Sequence, residues 1–527
     1  MHRRTALLAL AATAGGAALA ATALAAPGDV DPSFGDRGVS TASFPPSNQA
    51  NVSSMVERGD GTVVAAGSSG RSNARGSGFS FAQFTPSGAL DPRFGGDGRV
   101  VVEVGGSTST QVGTAVALQN DGRLVAAGTV LNSGPTGALL RLNVNGSIDG
   151  GFSGGVRRFN DAAVDVEILP NGKILVLGET QLRRFSSRGA LDKSFGKNGI
   201  VNLRTAGAVS MAVQSNGRIL VSGVTASDGT AGTGGEETEA SIERLNANGS
   251  RDRSFNSGNL RHVPFGCSAL RGPEVTLDAR GRAVLAGGGI IGSAEFAAVA
   301  RLTTAGRLDG SFGNGGTTML ALPVPGQKHR SADLQGAIVQ DDGRIVGFGT
   351  HLLRLNVNGT LDPTFGNRGS TPNPLPRTTA APNDAVAALI QPSGRLVIAG
   401  SNGGTNAGST SAFSVAGVSL IGQASGNVQP VNSTRPSAPR GLEVTARNRT
   451  LQLSWLGPSR SGASSVRGFV VQYRQVGDSR FSAACSTSGF LTIPNLVNGA
   501  DYQVRVAAGN NVGLGPFTST ITARIRG

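Results

Sequence analysis

The residues of this chain best placed for chemistry are arginines and aspartates. Arg141, Arg184, Arg244, Arg301 and Arg354 each stand eight residues before an aspartate (Asp149, Asp192, Asp252, Asp309 and Asp362), and Gln83 takes the same place before Asp91. A guanidinium facing a carboxylate can bind an anion, steer a proton or form a structural ion pair. An active site needs one such set. This one recurs in most repeats, so the spacing predicts a strand–loop–strand corner held by an Arg–Asp contact. Other reactive residues are few. Four histidines (His2, His262, His329, His351) and two cysteines (Cys267, Cys485) are scattered without metal-ligand spacing. His329 and His351 could approach one another, although nothing in their spacing requires it. Glu236, Glu237 and Glu239 lie in a Gly/Thr-rich insertion, residues 227–240, which reads as a solvated loop before it reads as a calcium site. Arg58-Gly59-Asp60 spells an adhesion tripeptide, but it falls at a repeat turn where Gly and Asp are expected anyway. The sequence holds no P-loop, no Gly-x-Ser-x-Gly elbow and no His-Glu-x-x-His. No catalytic, cofactor-binding or metal-ligating residue is assigned, and no cofactor is expected.

The elements that would carry the recurring pair come from two interleaved patterns. The first, Asp-x-x-Phe-Gly-x-x-Gly, begins at Asp31 and returns at Asp91, Asp149, Asp192, Asp252, Asp309 and Asp362, at intervals of 60, 58, 43, 60, 57 and 53 residues. The second is apolar-Gln-x-x-Gly-Arg-apolar-apolar-x-x-Gly, clearest around Gly122, Gly217, Gly343 and Gly394 and looser around Gly61, Gly172 and Gly281. Asn-Gly and Asp-Gly pairs accept the positive φ of tight turns, and short aliphatic runs flank them, so each pattern reads as hairpin chemistry. Two strands around the second pattern, one before the first and one after it give four strands in each repeat of roughly 50 to 60 residues, the size of a propeller blade. The recurrent Phe is expected to pack between neighbouring blades, because one blade cannot bury both its faces. Ser153 and Asn256 stand where the pattern has Gly, and altered corners are expected there. Seven copies point to a ring, with residues 31–39 and 411–420 sharing the last blade; an open solenoid is the alternative, for which the repeats are long. Closure also removes exposed sheet edges.

Composition agrees. With 80 glycines, 5% aromatic and 15% charged residues in 527, the chain is turn-dense β-structure with 38% hydrophobic residues to build a core. Arg3 and Arg4, the apolar run opening at Leu7 and the small-x-small triplet Ala23-Leu24-Ala25 read as an export signal over residues 1–25, by either the Sec or the twin-arginine route. No later stretch is apolar and long enough to span a membrane as a helix. The net charge of +14, nearly all from arginine, suits an anionic partner, but a solvated surface of a GC-rich genome's arginines explains it as well. No basic cluster interleaved with aromatics appears, which argues against nucleic acid. The two cysteines fall in different expected domains, so no disulfide is expected between them.

These repeats resemble the delta-60 repeat family of exported bacterial proteins, at residues 145–152 and 189–196 for example. The resemblance spans about residues 28–422 and implies a propeller-like array without an assigned activity. Residues 423–436 read as a polar Pro/Ser/Asn-rich linker. Beyond it, Leu451-Gln452-Leu453-Ser454-Trp455 alternates like a sandwich strand, residues 468–474 and 501–508 read as two more, and Tyr502 and the turn at residues 510–516 complete a pattern similar to fibronectin type III domains. Trp455 is expected in the core before it is expected under a sugar. The fold class is therefore all-β: a seven-bladed β-propeller over residues 26–422, followed by an immunoglobulin-like, fibronectin type III β-sandwich over residues 437–527. The function expected is a secreted or cell-surface binding protein for an anionic cell-wall polymer, a polysaccharide or an extracellular protein. A secreted polysaccharide-active hydrolase or lyase is the alternative, and a purely architectural wall component the third reading. Convergent carboxylates in the channel would favour the hydrolase.

Overall fold

The structure is a computed structural model. It describes residues 25–526 except 48, 71–76, 106–108, 132–133, 206, 227–237, 266–267, 270–271, 292–293, 323–332, 377–383, 403–409, 422–434, 463–464, 479–480 and 511–512. His2, His329, Cys267, Glu236 and Glu237 lie outside the described residues, as do nearly all of the expected export signal and linker.

The turn pattern makes hairpins. In the second repeat the strands Thr110–Leu118 and Leu124–Leu131 are joined by a turn in which the Gly122 amide donates to the Gln119 carbonyl at 2.9 Å. Gly122 has φ +81°, a conformation that carries no penalty without a Cβ. Pro135–Leu142 and Val156–Asn160 continue the antiparallel sheet in sequence order. The same four-strand meander recurs. Seven such sheets are present among the described residues, and their innermost strands are Gln49–Glu57, Thr110–Leu118, Ala163–Ile168, Ala208–Val213, Glu274–Leu277, Leu334–Val339 and Ala387–Ile390. Each innermost strand neighbours the next, and the last neighbours the first.

The seventh sheet draws on both ends of the array. Ala387–Ile390, Arg395–Asn402 and Ala412–Ser419 come from the end, and Val39–Ala42, from the beginning, pairs antiparallel with Ala412–Ser419 in the register Val39↔Ala416 to Ala42↔Phe413. This is the sharing expected of residues 31–39 and 411–420. Hydrophobic clusters form between adjacent sheets: Phe94 packs with Leu124 and Leu140 of the next sheet, Phe195 with Val221, and Phe34 with Val397 and Ala65 across the closure. All seven pattern phenylalanines are buried, each stabilising the stack by roughly 1.5–3 kcal/mol relative to exposure.

Residues 440–524 form a two-sheet sandwich, with Arg440–Arg447, Thr450–Leu456 and Phe490–Ile493 in one layer and Ser482–Ser486, Gly468–Gln475, Asp501–Asn510, Gly513–Phe517 and Ile521–Arg524 in the other. Trp455 is buried against Phe469, ring centroids 5.5 Å apart, which is the core role expected for it. The Val497 amide donates to the Tyr502 hydroxyl at 3.2 Å, closing the expected corner. The sandwich is not a loose appendage. Val470, Ala507 and Leu514 of its second layer share one apolar cluster with Phe255, Phe265 and Phe296 of the fourth and fifth repeats, and Asn314 donates to the Gly515 carbonyl at 2.8 Å. Cys485, also packed against that cluster, is disulfide-bonded, contrary to the sequence expectation. Position 267 is the only other cysteine the chain supplies. Assigning cysteines to separate domains misleads when the domains touch.

Candidate functional site

The recurring Arg–Asp pair is a structural corner. The Nε atoms of Arg141, Arg184, Arg244, Arg301 and Arg354 donate to Oδ2 of the aspartate eight residues on at 2.7–2.9 Å, and Gln83 Nε2 does so to Asp91 at 2.8 Å. Each arginine also lies over the pattern phenylalanine, at 4.6–5.1 Å from guanidinium carbon to ring centroid. Its Nη1 crosses to the next repeat and donates to the carbonyl of Ser187, Ala247, Thr304, Val357 or Leu420. The Gly-Arg pattern meets the same aspartates from its own side: Lys173 reaches Asp192 at 2.8 Å, Arg282 reaches Asp309 at 2.6 Å and Arg344 reaches Asp362 at 3.1 Å. The two sequence patterns recur together because in five repeats the aspartate sits between a cation from each. Asp91 is held at about 2 by bonds from Arg93 and Gln83; Asp309, although burial opposes it, is held at about 2 by Ser311 and Arg301.

Two repeats lack the arginine, and both are repaired from elsewhere. At Gln83, Arg58 enters from the adjoining turn, donating to Gln83 Oε1 at 3.0 Å and crossing to the Gly122 and Val144 carbonyls. Arg58 is buried in this task, so the Arg58-Gly59-Asp60 letters are a repeat turn. In the seventh sheet the corresponding position is Gly417, where a Cβ would come within 2.8 Å of Phe34. Arg395 fills the space, donating to Asp31 at 2.6 Å, Ser33 at 2.9 Å and the Pro86 carbonyl at 2.9 Å. This cluster joins residues more than 360 positions apart. The departures at Ser153 and Asn256 keep the left-handed backbone, with φ +48° and +46°. Asn256 retains the bond to the next repeat (its amide to the Ala305 carbonyl, 3.0 Å) but adds a one-turn 3-10 segment, Asn256–Gly258, so the corner there is altered as expected.

Sequence reading missed a second set of polar residues, on the innermost strands. The first residue after the strand bulge offers a side-chain oxygen to an amide of the next sheet: Ser54 to Val116 at 3.3 Å, Asp165 to Met211 at 3.0 Å and Ser210 to Val275 at 3.3 Å. Glu274 occupies the equivalent place, accepting from the Ala337 amide and pressing against Gly336. Burial raises Asp165 to about 6, and burial reinforced by the nearby Asp165 charge raises Glu167 and Glu274 to about 8. Glu167 makes no hydrogen bond among the described residues. The available signal was Asp165 and Glu167 alternating in an otherwise aliphatic strand, Ala163–Ile168. Among the described residues no group of three or more His, Cys, Asp or Glu is arranged to hold a metal. His351 is buried in its strand, and His262 Nδ1 pairs with Glu239 at 2.8 Å.

The altered Asn256 corner opens a polar cavity of about 520 Å³ between the fourth and fifth repeats, lined by Arg253, Arg261, Arg307, His262, Asn256 and Asn259 among others. Among the described residues no carboxylate lines it.

The comparisons agree with this geometry. Residues 58–94, 119–152, 169–195, 214–255 and 340–365 match the family model described as a domain of unknown function (DUF5122) beta-propeller, and residues 437–524 match the fibronectin type III domain. The chain carries a DUF5122 propeller-type repeat region and a fibronectin type III domain. Similar solved structures include titin kinase with its flanking domains (25% identity, TM-score 0.16, covering 17% of this chain and 17% of that one). They also include the twitchin kinase region from C. elegans (26%, TM-score 0.17, 18% and 17%) and the FN5 domain of Drosophila Lar (20%, TM-score 0.15, 18% and 98%). The chain spans about a sixth of the length of the first two. The DUF5122 segments each take in one or both corner patterns, and the fibronectin type III match contains Trp455 and the Tyr502 corner. Among the described residues no helix is long and apolar enough to cross a membrane.

Proposed function

We propose that this chain is an exported binding protein, acting outside the cell or at its surface. The seven sheets form one closed scaffold, and the fibronectin type III domain is its fixed accessory. The observation that carries this reading is where the polar groups go. The repeated arginines and aspartates are consumed in corners, whereas Arg253 and Arg307, exposed at the Asn256 cavity, have no acidic partner among the described residues. That surface offers cations to a ligand, and among the described residues it holds no metal-ligand set. Export is supported by the charged, apolar and small-x-small order of residues 3–25 and by the resemblance to the delta-60 repeats. The disulfide at Cys485 adds support, because such bonds persist in oxidising compartments. Screening the purified chain against glycan, wall-polymer and extracellular-protein arrays tests the reading, with a reproducible ligand expected; a chain recovered in the cytoplasm and blank on every array rejects it.

A second reading, a polysaccharide hydrolase or lyase, draws on Glu167, half-buried on an innermost strand, whose carboxyl is pushed up to about 8 by burial and by the nearby Asp165 charge. Such an acid can donate to a leaving group. It predicts release of reducing ends from a glycan panel, abolished by Glu167→Gln. No release from any glycan removes it.

A further inference from the structure

The Asn256 cavity has a composition that selects its ligand. Its three arginines converge from separate stretches of chain: Arg253 from the corner after Asp252, Arg261 from the outer strand Arg261–Val263, and Arg307 from the turn of the fifth repeat. Arg204 braces the site from outside, donating to the Gly258 carbonyl at 2.9 Å. Among the described residues the nearest acids are already engaged. Glu243 accepts from Arg251 and from the Arg204 and Thr205 amides at 2.7 and 3.1 Å, while Glu239 pairs with His262. Asp252 is bonded by Arg244 at 2.7 Å and approached by Arg218 at 3.2 Å. Among the described residues no acid is therefore left to pair with Arg253 or Arg307. Arg253 and Arg307 are exposed with their forked donors available, a geometry that matches carboxylate or sulfate oxygens.

We propose that this cavity binds an acidic polysaccharide, with Arg253 and Arg307 taking its carboxylate or sulfate groups and Asn256, Asn259 and the serines at 254 and 257 facing its hydroxyls. The inference rests on the binding-scaffold reading and names the ligand class of that same site. Three features favour this class. Among the described residues no Phe, Tyr or Trp lines the cavity, and its one ring, the His262 imidazole, is paired with Glu239, so it offers little platform for stacked bases. It lacks the apolar and aromatic centre that a protein partner's anchor would fill. Its volume, about 520 Å³, lies in the range of sites that enclose an organic ligand and far exceeds a single inorganic ion.

The test is titration of the full chain with polygalacturonate, dextran sulfate and neutral dextran at low and at physiological salt, with inorganic sulfate and duplex DNA as competitors. The acidic polymers are expected to bind, more weakly as salt rises, and neutral dextran not to bind. The double variant Arg253→Ala/Arg307→Ala is expected to lose affinity by about tenfold or more, the loss expected when charge-assisted hydrogen bonds are removed. Arg188→Ala/Arg280→Ala, which removes two exposed arginines elsewhere, is expected to bind within about twofold of the unaltered chain, since screened distant charges contribute little. Melting temperatures of both variants confirm that they are folded. Equal losses in the two variants, or none in the first, overturn the site while leaving the scaffold reading in place. Effective displacement by duplex DNA or by inorganic sulfate at matched charge overturns the ligand class. No acidic polymer bound alongside a neutral or protein ligand on the arrays also overturns the class, and blank arrays remove the scaffold reading itself.

Discussion

Asp165, Glu167 and Glu274 show how position rewrites the meaning of a side chain. A serine at Asp165's place bridges two sheets without charge, as Ser54 and Ser210 do. A carboxylate there must either stay protonated or be ionised inside protein, and burial pushes all three upward. Their folded values exceed their unfolded ones, so between the ordinary carboxylate range and about 8 the folded chain holds more protons than the unfolded chain. Stability from these groups is fully present below the ordinary range. It is lost as pH rises through about 6 for Asp165 and about 8 for Glu167 and Glu274. The corner aspartates run the other way: Asp91 and Asp309, depressed to about 2, contribute stability above the ordinary range and lose it as pH falls toward that value. The melting temperature should therefore peak in mildly acid solution, around pH 4 to 5, and fall on both sides. Glu167→Gln/Glu274→Gln should flatten the fall between pH 5 and about 9 while leaving the acid limb unchanged. Melting curves across that span check this, and an unaltered alkaline limb in the variant would mean that these carboxyls are ordinary. Asp165 is left in place because both its oxygens accept from backbone amides, those of Val166 and Met211, and an asparagine NH2 could not replace one of them.

At the scale of the elements, the corner explains why so much of this fold can be read in the sequence. The Arg-to-Asp spacing of eight, the Phe three residues on and the Gly-Arg turn are local features, the first and last present five times and the Phe seven, and repetition lifts them above chance. Trp455 and Tyr502 were legible for the same reason, since a strand's alternation fixes which side chains face inward. What could not be read is what happens where a repeat breaks its own rule. Nothing local links Gln83 to Arg58, or Gly417 to Arg395, and the substitution works only because the ring brings distant segments together. The carboxylates of the innermost strands were hidden likewise: an acid in an apolar strand signals that something is unusual, not which amide it faces. The cavity residues were overlooked because Arg253 and Arg307 lie more than fifty residues apart in sequence. Arg395 provides the sharpest test of closure. It carries the contacts of two cations in the seventh sheet, where the start and end of the array meet by strand pairing, backbone hydrogen bonds, the Asp31–Arg395 contact and apolar packing. Arg395→Ala should leave the other six sheets folded but loosen Val39–Ala42, seen as faster amide exchange there and as new proteolytic cleavage before residue 49. Arg447→Ala, which removes an exposed arginine of the sandwich, should do neither. Protection of Val39–Ala42 unchanged in Arg395→Ala would show that strand pairing alone closes the array.

For the whole molecule, the decisive relation is between the sandwich and the fourth and fifth repeats. A fibronectin type III domain on a Pro/Ser-rich linker would normally sample many orientations, and a ligand site on the array would then be indifferent to it. Here three constraints act together: burial of Val470, Ala507 and Leu514 against the array, the Asn314–Gly515 hydrogen bond and the disulfide at Cys485. Phe255, the pattern phenylalanine of the Asn256 corner, belongs to the same apolar cluster as those sandwich residues. Docking and the cavity's shape are thus mechanically linked through one packed core, whose side chains cannot shift singly. The disulfide stabilises by restricting the unfolded chain, typically by about 2–4 kcal/mol, while the apolar contact fixes the orientation. Removing the disulfide alone should therefore lower the melting temperature and leave the sandwich docked. Removing both, by Cys485→Ser/Val470→Asp, should free it. Hydrogen exchange of Thr317–Leu320 and Gly513–Phe517, which lie side by side across the contact, should rise only in the double variant, together with a larger radius of gyration in solution scattering. Exchange in those two strands that stays at the unaltered level in the double variant would show that the sandwich is held by something other than this interface.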